Sequence, residues 1–360
     1  MRSRFAVALL LLAVALAVAL AVAPAAAKAQ WRTSLLPVLG SAPETGGQFG
    51  LAVFRTRQPE DSLGTRPSSI IGNAIATSKG QQRAFVEYDG WTPGNERRLQ
   101  VLAIASKFPL PFYGYGDDTP DEAQGYEPTT LDLSVTRSRK RGDALWRYVS
   151  ARVVATRANL QGAESAGIPG ADGYGLGLLT AGRIRDTRDN IFAPSRGRVL
   201  DLSVSAGLLR EPDQTINPNT LLRLRLDWRA YRPLPKGGVL ASQVNIMTSG
   251  GGFPLDQIAL VGHNTLNRGY TMGRYRDEGM LASQLEWRSP TRAMNGRLGM
   301  AAFGGLAFLF GDSDNGRPLP SGGAGLRFRL DPRTRSTIRV DYAKGASRQS
   351  GLYVAFNEAF

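Results

Sequence analysis

The side chains with most chemistry to offer lie in one stretch, residues 262–277, which reads GHNTLNRGYTMGRYRD. It holds the only histidine of the chain, His263, and the tetrad Asn267-Arg268-Gly269-Tyr270. A histidine acts as a general base beside a nucleophile and an orienting group. Asn264 and Thr265 adjoin His263, but no nucleophile is identifiable by spacing and no G-x-S-x-G occurs anywhere. Catalysis is therefore not expected. Zero cysteines exclude a disulfide framework and thiolate-ligated metal. The pair Asp117-Asp118 suits exposed loop charge better than a calcium cage, which needs more converging oxygens. No metal and no cofactor are expected. Arg268 offers something else. A guanidinium is a rigid, permanently charged fork that can grip a carboxylate with two bonds in a buried place. Set beside a glycine and an aromatic, it suits a loop tip tucked into a polar cavity. A loop of this length is far more than a hairpin needs, and such loops are usually functional or disordered; this one is not disordered in composition.

A second polar cluster runs Arg185-Asp186-Thr187-Arg188-Asp189-Asn190, followed by Pro194 and Gly197. Asp and Asn side chains bond local backbone, arginines cap carboxylates, proline fixes φ and glycine permits the exit. Two Arg-Asp pairs at this spacing exceed what an ordinary polar turn requires.

The segments around these clusters alternate with period two. In 221–231, Leu222, Leu224, Leu226, Trp228 and Ala230 oppose Arg223, Arg225, Asp227, Arg229 and Tyr231. Similar alternation fills 281–288, 324–331 and 337–343. That is the pattern of strands with one apolar and one polar face. A soluble sandwich and a membrane barrel both produce it. Three features favour the barrel. The polar faces mix arginine with acid, as a lumen lined with ion pairs would. Connections alternate long (109–124, 159–172, 249–278) with short (140–143, 233–237, 291–294, 332–334), with an untidy inner turn at 58–66. Counting runs gives about 16 strands, an even number that leaves both ends on one side. The expected fold class is an all-β, transmembrane antiparallel barrel of outer-membrane type. Trp146, Trp228 and Trp287 then fall near the periplasmic rim, where an aromatic girdle belongs.

The bulk numbers agree. The net charge is +14, with 44 Lys and Arg. The basic residues recur at alternate strand positions instead of clustering on one helix or patch, so nucleic acid is not an expected partner. The one long apolar run is Phe5–Val22, preceded by Arg2 and Arg4 and followed by Ala27-Lys28-Ala29. This is the layout of a signal peptide, 1–29, cleaved before Gln30. No second such run follows, so a membrane-lodged mature chain, 30–360, has to be a barrel, because only helices and closed barrels satisfy their backbone in lipid.

These residues together resemble the Omp85 superfamily, the outer-membrane barrels that include assembly proteins of the BamA and TamA type. The loop-six signature of that family is close to (V/L)RGY, with Asn267 in the first place here. The 185–197 cluster resembles the RDTRDN…P..G turn of the bacterial surface antigen D15 domain. Pro43-Glu44-Thr45-Gly46, Arg66-Pro67-Ser68-Ser69 and Phe112-Tyr113-Gly114-Tyr115-Gly116 are similar to segments of a short Omp85 branch that lacks POTRA domains. The ending GLYVAFNEAF, read as one amphipathic strand to Phe360 with Phe356 on the same face, resembles the C-terminal insertion signal of outer-membrane proteins.

The resemblance implies that Arg268, with Gly269 and Tyr270, reaches into the lumen and bonds wall acids. Glu286 matches one family acid. The second, in an F-x-D-x-G pattern, is missing from Ala301-Ala302-Phe303-Gly304-Gly305, with Asp341 or Asp277 as substitutes. It implies a seam between first and last strands, which would join the region 31–40, containing Pro37, to 352–360. The implied function is insertion or translocation of protein or lipid at the Gram-negative outer membrane after signal-peptide export. The alternative is a passive pore or structural barrel without assembly activity. Implied partners are outer-membrane lipid and lipopolysaccharide, and a separate periplasmic or POTRA-bearing protein.

Overall fold

Strand-forming runs separated by turns dominate the computed structural model, which describes residues 31–59, 64–162, 167–212, 220–311, 316–331 and 335–360. The signal peptide and the 332–334 turn expected from sequence lie outside these residues. In chain order the strands are β1 (Trp31–Ala42), β2 (Gly46–Arg57), β3 (Ser68–Thr77), β4 (Gln82–Trp91), β5 (Arg97–Lys107), β6 (Leu110–Phe112), β7 (Gln124–Tyr126), β8 (Thr129–Lys140), β9 (Leu145–Arg157) and β10 (Gly173–Asp186). They continue as β11 (Gly197–Arg210), β12 (Leu221–Pro233), β13 (Val239–Gly250), β14 (Ala259–Leu260), β15 (Arg276–Asp277), β16 (Gly279–Arg288), β17 (Leu298–Phe310), β18 (Leu319–Asp331), β19 (Ser336–Gly345) and β20 (Ser350–Phe356). Sixteen of them close an antiparallel barrel, while β6–β7 and β14–β15 form small hairpins in the loops. No described helix is long and apolar enough to cross a membrane; the strands do the crossing.

Burial decides between barrel and sandwich. The apolar side of each strand is the uncovered one: Leu222 is 54% exposed, Leu224 56% and Leu285 55%. Leu281, Leu326, Val340 and Tyr342 face out in the same way. A sandwich would have buried them. A wall of exposed leucine and valine is the lipid-facing band of a membrane barrel. The opposite side faces the lumen and carries ion pairs between inward charges, Arg98–Asp89, Arg152–Asp132 and Arg229–Asp227.

Two expectations need correction. Trp228 and Trp287 alternate in step with the outward leucines, but Trp146 falls on the inward register, paired with Lys140 and Ile184. It packs edge-on to Trp91, ring centroids 5.6 Å apart, so the rim aromatics are not all lipid-facing. The last strand also stops short of Phe360. It ends at Phe356, and Asn357 takes φ 61°. The chain then turns into the lumen, because charged partners for Glu358 lie there. Phe356 remains outward and 47% exposed, whereas Phe360 is buried against Tyr231 and Ala241 on the lumen wall.

Candidate functional site

Loop six spans the gap between β13 and β16. Its upper part is knitted to the neighbouring loops by two arginines. Arg276 is fully buried and donates to the carbonyls of Leu255 (3.1 Å) and Pro111 (2.9 Å). Arg274 donates to the Pro120 carbonyl and pairs with Asp121 at 3.0 Å. Apolar residues from three loops, Phe112, Tyr126, Leu160 and Leu255, pack beneath this cover.

From there the tip descends along the β16–β19 wall. Asn267 has φ 50°, a left-handed conformation that Asn tolerates and β-branched residues do not. Its side chain sits over Gly305, where a Cβ would come within 3.4 Å of Asn267 Nδ2. Gly269 has φ 118° and lies against the backbone of Lys344 and Gly345. Its N–H donates to the Tyr353 hydroxyl at 2.8 Å. The Tyr270 hydroxyl donates to the Pro320 carbonyl at 2.5 Å and accepts from the Ala346 N–H at 3.0 Å. The tip is thus stitched to β18, β19 and β20.

Arg268 is the centre of this arrangement. One guanidinium nitrogen meets Glu286 on β16, and the other meets Asp341 on β19 at 2.5 Å. The ring of Phe303 lies 3.5 Å beneath the guanidinium carbon, a cation–π contact. Around this core, Arg288 reaches Glu286 (2.8 Å) and Arg339 reaches Asp341 (2.7 Å). Arg327 touches Asp341 (2.5 Å), Glu286 (3.3 Å) and Glu358 (2.7 Å). Four guanidinium groups and three carboxylates form one network from loop, wall and chain tail. Arg327 and Arg339 stand directly opposite each other in the ladder, an unfavourable pair by itself. The interleaved carboxylates remove the penalty. Gly325 makes room for one of them, since a Cβ there would come 2.0 Å from Asp341 Oδ1.

Buried ion pairs of this kind add little net stability against an apolar substitute but cost heavily when one partner is lost. The network therefore fixes where loop six sits. Sequence reading singled out Arg268, Gly269, Tyr270 and Glu286, and the structure brings these together. Asp341, not Asp277, supplies the second carboxylate; Asp277 sits in the β14–β15 hairpin and accepts from the Glu278 N–H at 2.7 Å. Arg288, Arg327, Arg339, Tyr353, Phe303 and Glu358 were missed as members. The His263 ring shares a hydrogen bond with the Thr265 hydroxyl at 2.9 Å. Among the described residues no cluster of ligand side chains could hold a metal ion.

The second cluster is the β10–β11 turn. Arg185 and Asp186 end β10. Asp186 pairs with Arg188 at 2.7 Å, and the Asn190 side chain accepts from the Phe192 and Ala193 N–H groups at 2.8 Å each. Pro194 is buried at the far side of the turn. Gly197 opens β11 at φ 103°, where a Cβ would strike the Thr187 carbonyl at 2.2 Å. Asp189 accepts from the Ser195 N–H (2.8 Å), the Ser195 hydroxyl (2.6 Å) and the Arg196 N–H (3.1 Å). It also meets Arg335, in the β18–β19 turn, at 2.8 Å. Glu358 N–H bonds the Phe192 carbonyl at 3.3 Å. The turn thus reaches across its end of the barrel to the β18–β19 turn and touches the tail.

Partial burial alone would raise the Asp189 pKa; the Ser195, Arg335 and Arg196 donors outweigh it and hold the carboxyl well below the usual range. A depressed folded pKa gives a contribution that is full at neutral pH. It fades as the pH falls below about 4, the ordinary aspartate value, and is gone below the folded pKa. Asp189→Ala is therefore expected to lower the melting temperature in micelles at pH 7. The gap to wild type should close on acidification, and a gap independent of pH would contradict the reading.

No family model and no curated protein matches the sequence. Among solved structures, the fold is similar to that of BamA from Haemophilus ducreyi lacking POTRA domains 1-3, with a TM-score of 0.62 at 13% identity over 92% of this chain and 70% of that one. It is similar to CdiB from Acinetobacter baumannii (TM-score 0.59, 11% identity, 92% of this chain and 65% of that one). It is also similar to CdiB from Escherichia coli (0.61, 10%, 92% and 63%). The chain spans 63% to 70% of the length of these proteins. The chain, a closed barrel of 16 antiparallel strands, shares the fold of these BamA and CdiB structures.

Proposed function

We propose that this chain assists the insertion or translocation of protein or lipid at the outer membrane, and that its working part is the seam between β1 and β20. The observation that carries the reading is the pairing at that seam. Every other neighbouring pair of barrel strands is zipped along most of its length, but β1 meets β20 at a single register pair, Ser41↔Val354. Residues 32–37 of β1 are exposed on both faces: Leu35, which points out, is 62% exposed, and Leu36, which points in, is 48% exposed. An open edge of this length is a template for an incoming strand. Pro37 withdraws one ladder donor from it. The inturned tail keeps β20 short, so the seam stays weak while loop six is anchored on the β16–β20 wall.

Export by a signal peptide, residence in a Gram-negative outer membrane and a separate periplasmic or POTRA-bearing partner belong to this proposal. The competing reading is a passive pore or structural barrel. Against an open pore stands the lumen itself, crossed by loop six from one side and by the tail and the β10–β11 turn from the other.

The chain has no cysteine, so a lock at the seam is clean to engineer. Directly opposed residues of an antiparallel pair lie within disulfide range. Ser41→Cys/Val354→Cys is expected to fold as a heat-modifiable barrel. Oxidised, it should fail to restore the outer-membrane protein and lipid content of depleted cells; reductant should restore it. If the locked barrel complements like wild type, the seam is not the working part and the structural-barrel reading replaces this one.

A further inference from the structure

On the outer wall, four arginines stand in one unbroken cross-strand row. Arg97 on β5 opposes Arg139 on β8, Arg139 opposes Arg147 on β9, and Arg147 opposes Arg183 on β10. All four are exposed. Their direction follows from alternation: they share a face with Leu131, Leu133, Val135, Val149, Val153 and Leu179, the exposed apolar side. The row lies at the periplasmic end of the strands, where β8 turns tightly into β9. Arg137 stands one step further into the apolar band, and Arg185 one step closer to the rim, on the same face.

Like charges directly opposite each other on a sheet destabilise the pairing, and here three such pairs occur in succession. Lumen arginines such as Arg98, Arg152, Arg229, Arg268 and Arg288 meet a carboxylate. Among the described residues no ion pair engages Arg97, Arg137, Arg139, Arg147 or Arg183. Arg97, Arg137, Arg139 and Arg147 also line a groove of about 360 Å³ with Val149. A basic row set against an apolar band, at the level where strands leave the hydrocarbon, has the composition of a lipid headgroup contact. Arginine stems cover apolar surface while the guanidinium reaches the polar layer. Rungs about 4.8 Å apart let one phosphate bridge adjacent guanidinium groups, each a planar multi-donor fork for phosphate oxygens.

We propose that the Arg97–Arg139–Arg147–Arg183 row is a binding site for the phosphate headgroups of anionic phospholipid in the periplasm-facing leaflet. In the ring of strands the row occupies the wall away from the β1–β20 seam. It fastens the closed side of the barrel to the membrane and leaves the seam side free. The proposal is independent of what passes through the seam.

The test uses the full chain, reconstituted in vesicles of phosphatidylethanolamine and phosphatidylglycerol, extracted into mild detergent and examined by native mass spectrometry. Wild type is expected to retain phosphatidylglycerol in preference to phosphatidylethanolamine. The preference should weaken with salt and resist competition from inorganic phosphate. Arg97→Gln/Arg139→Gln/Arg147→Gln/Arg183→Gln should lose at least on the order of tenfold in that preference, while Arg210→Gln at the other rim should not. Removing like charges should leave heat-modifiable folding intact; if the quadruple variant fails to fold, Arg139→Gln/Arg147→Gln carries the test, with a smaller loss expected. Equal retention of the two lipids by wild type, or an unchanged preference in the variants, overturns the proposal. So does a row-dependent acidic periplasmic protein captured without any lipid preference.

Discussion

Gly269→Val is expected to unseat loop six and convert a plugged, heat-resistant barrel into a leaky, less stable one. The backbone there has φ 118°, and a Cβ would come 2.6 Å from the Lys344 carbonyl carbon and 2.8 Å from the Gly345 nitrogen. Those are main-chain atoms at the end of β19 and its turn, which cannot swing aside as a side chain would. The conformation is itself nearly closed to a β-branched residue. Relief requires the tip to lift off the wall, which breaks the Gly269–Tyr353 hydrogen bond and draws Arg268 away from Glu286 and Asp341. The expected loss is roughly 3–5 kcal/mol, the cost of breaking a buried charge pair. In planar bilayers the variant should conduct where wild type is nearly closed. Unchanged melting in detergent with unchanged conductance would mean that the tip is not wedged as described.

Arg268→Ala tests the same joint by removing charge instead of adding bulk. Both Arg268 contacts are fully buried at their side chains, so solvent cannot take over. The alanine variant leaves Glu286 and Asp341 facing Arg288, Arg327 and Arg339, which recover part of the interaction. A loss of roughly 3–5 kcal/mol in the heat-modifiable barrel is expected. Arg268→Lys should recover little, because one ammonium cannot hold two carboxylates on separate strands as a fork does. In a double-mutant cycle, Arg268→Ala/Glu286→Ala should cost less than the sum of its parts, as coupled neighbours do. If Arg268→Ala folds and survives heating like wild type, the anchor reading is wrong.

How much of this was legible beforehand depends on the range of the forces involved. Alternation is local, so β12, β16, β18 and β19 could be read with their inward and outward faces, and the strand count followed. Trp146 was misplaced because it was assigned from its nearness to the rim; carrying the alternation down from Val153, Val149 and Arg147 puts it inside. The inward direction of Arg327, Arg339 and Arg288 was equally legible. What alternation cannot give is height. Which inward residues meet depends on strand tilt and on closure of the ring, and so Asp341 could be considered as a partner without being chosen. Glu358 and Phe360 show the limit most clearly. Counting by twos carried them along the lipid face, but the buried arginines of β16 and β18 offer Glu358 partners that no local pattern contains, and a single left-handed Asn357 redirects the chain toward them.

The central claim is a barrel with loop six anchored on its β16–β20 wall and one weak seam between β1 and β20, and hydrogen exchange tests it most directly. Amide exchange in micelles, followed strand by strand, is predicted to be fast along the facing edges of β1 and β20, where the two strands share a single register pair. It should be slow in β9 to β12, where both neighbours are paired along most of their length. Protection of the seam-facing amides of β1 and β20 equal to that of β9 to β12 would contradict the account.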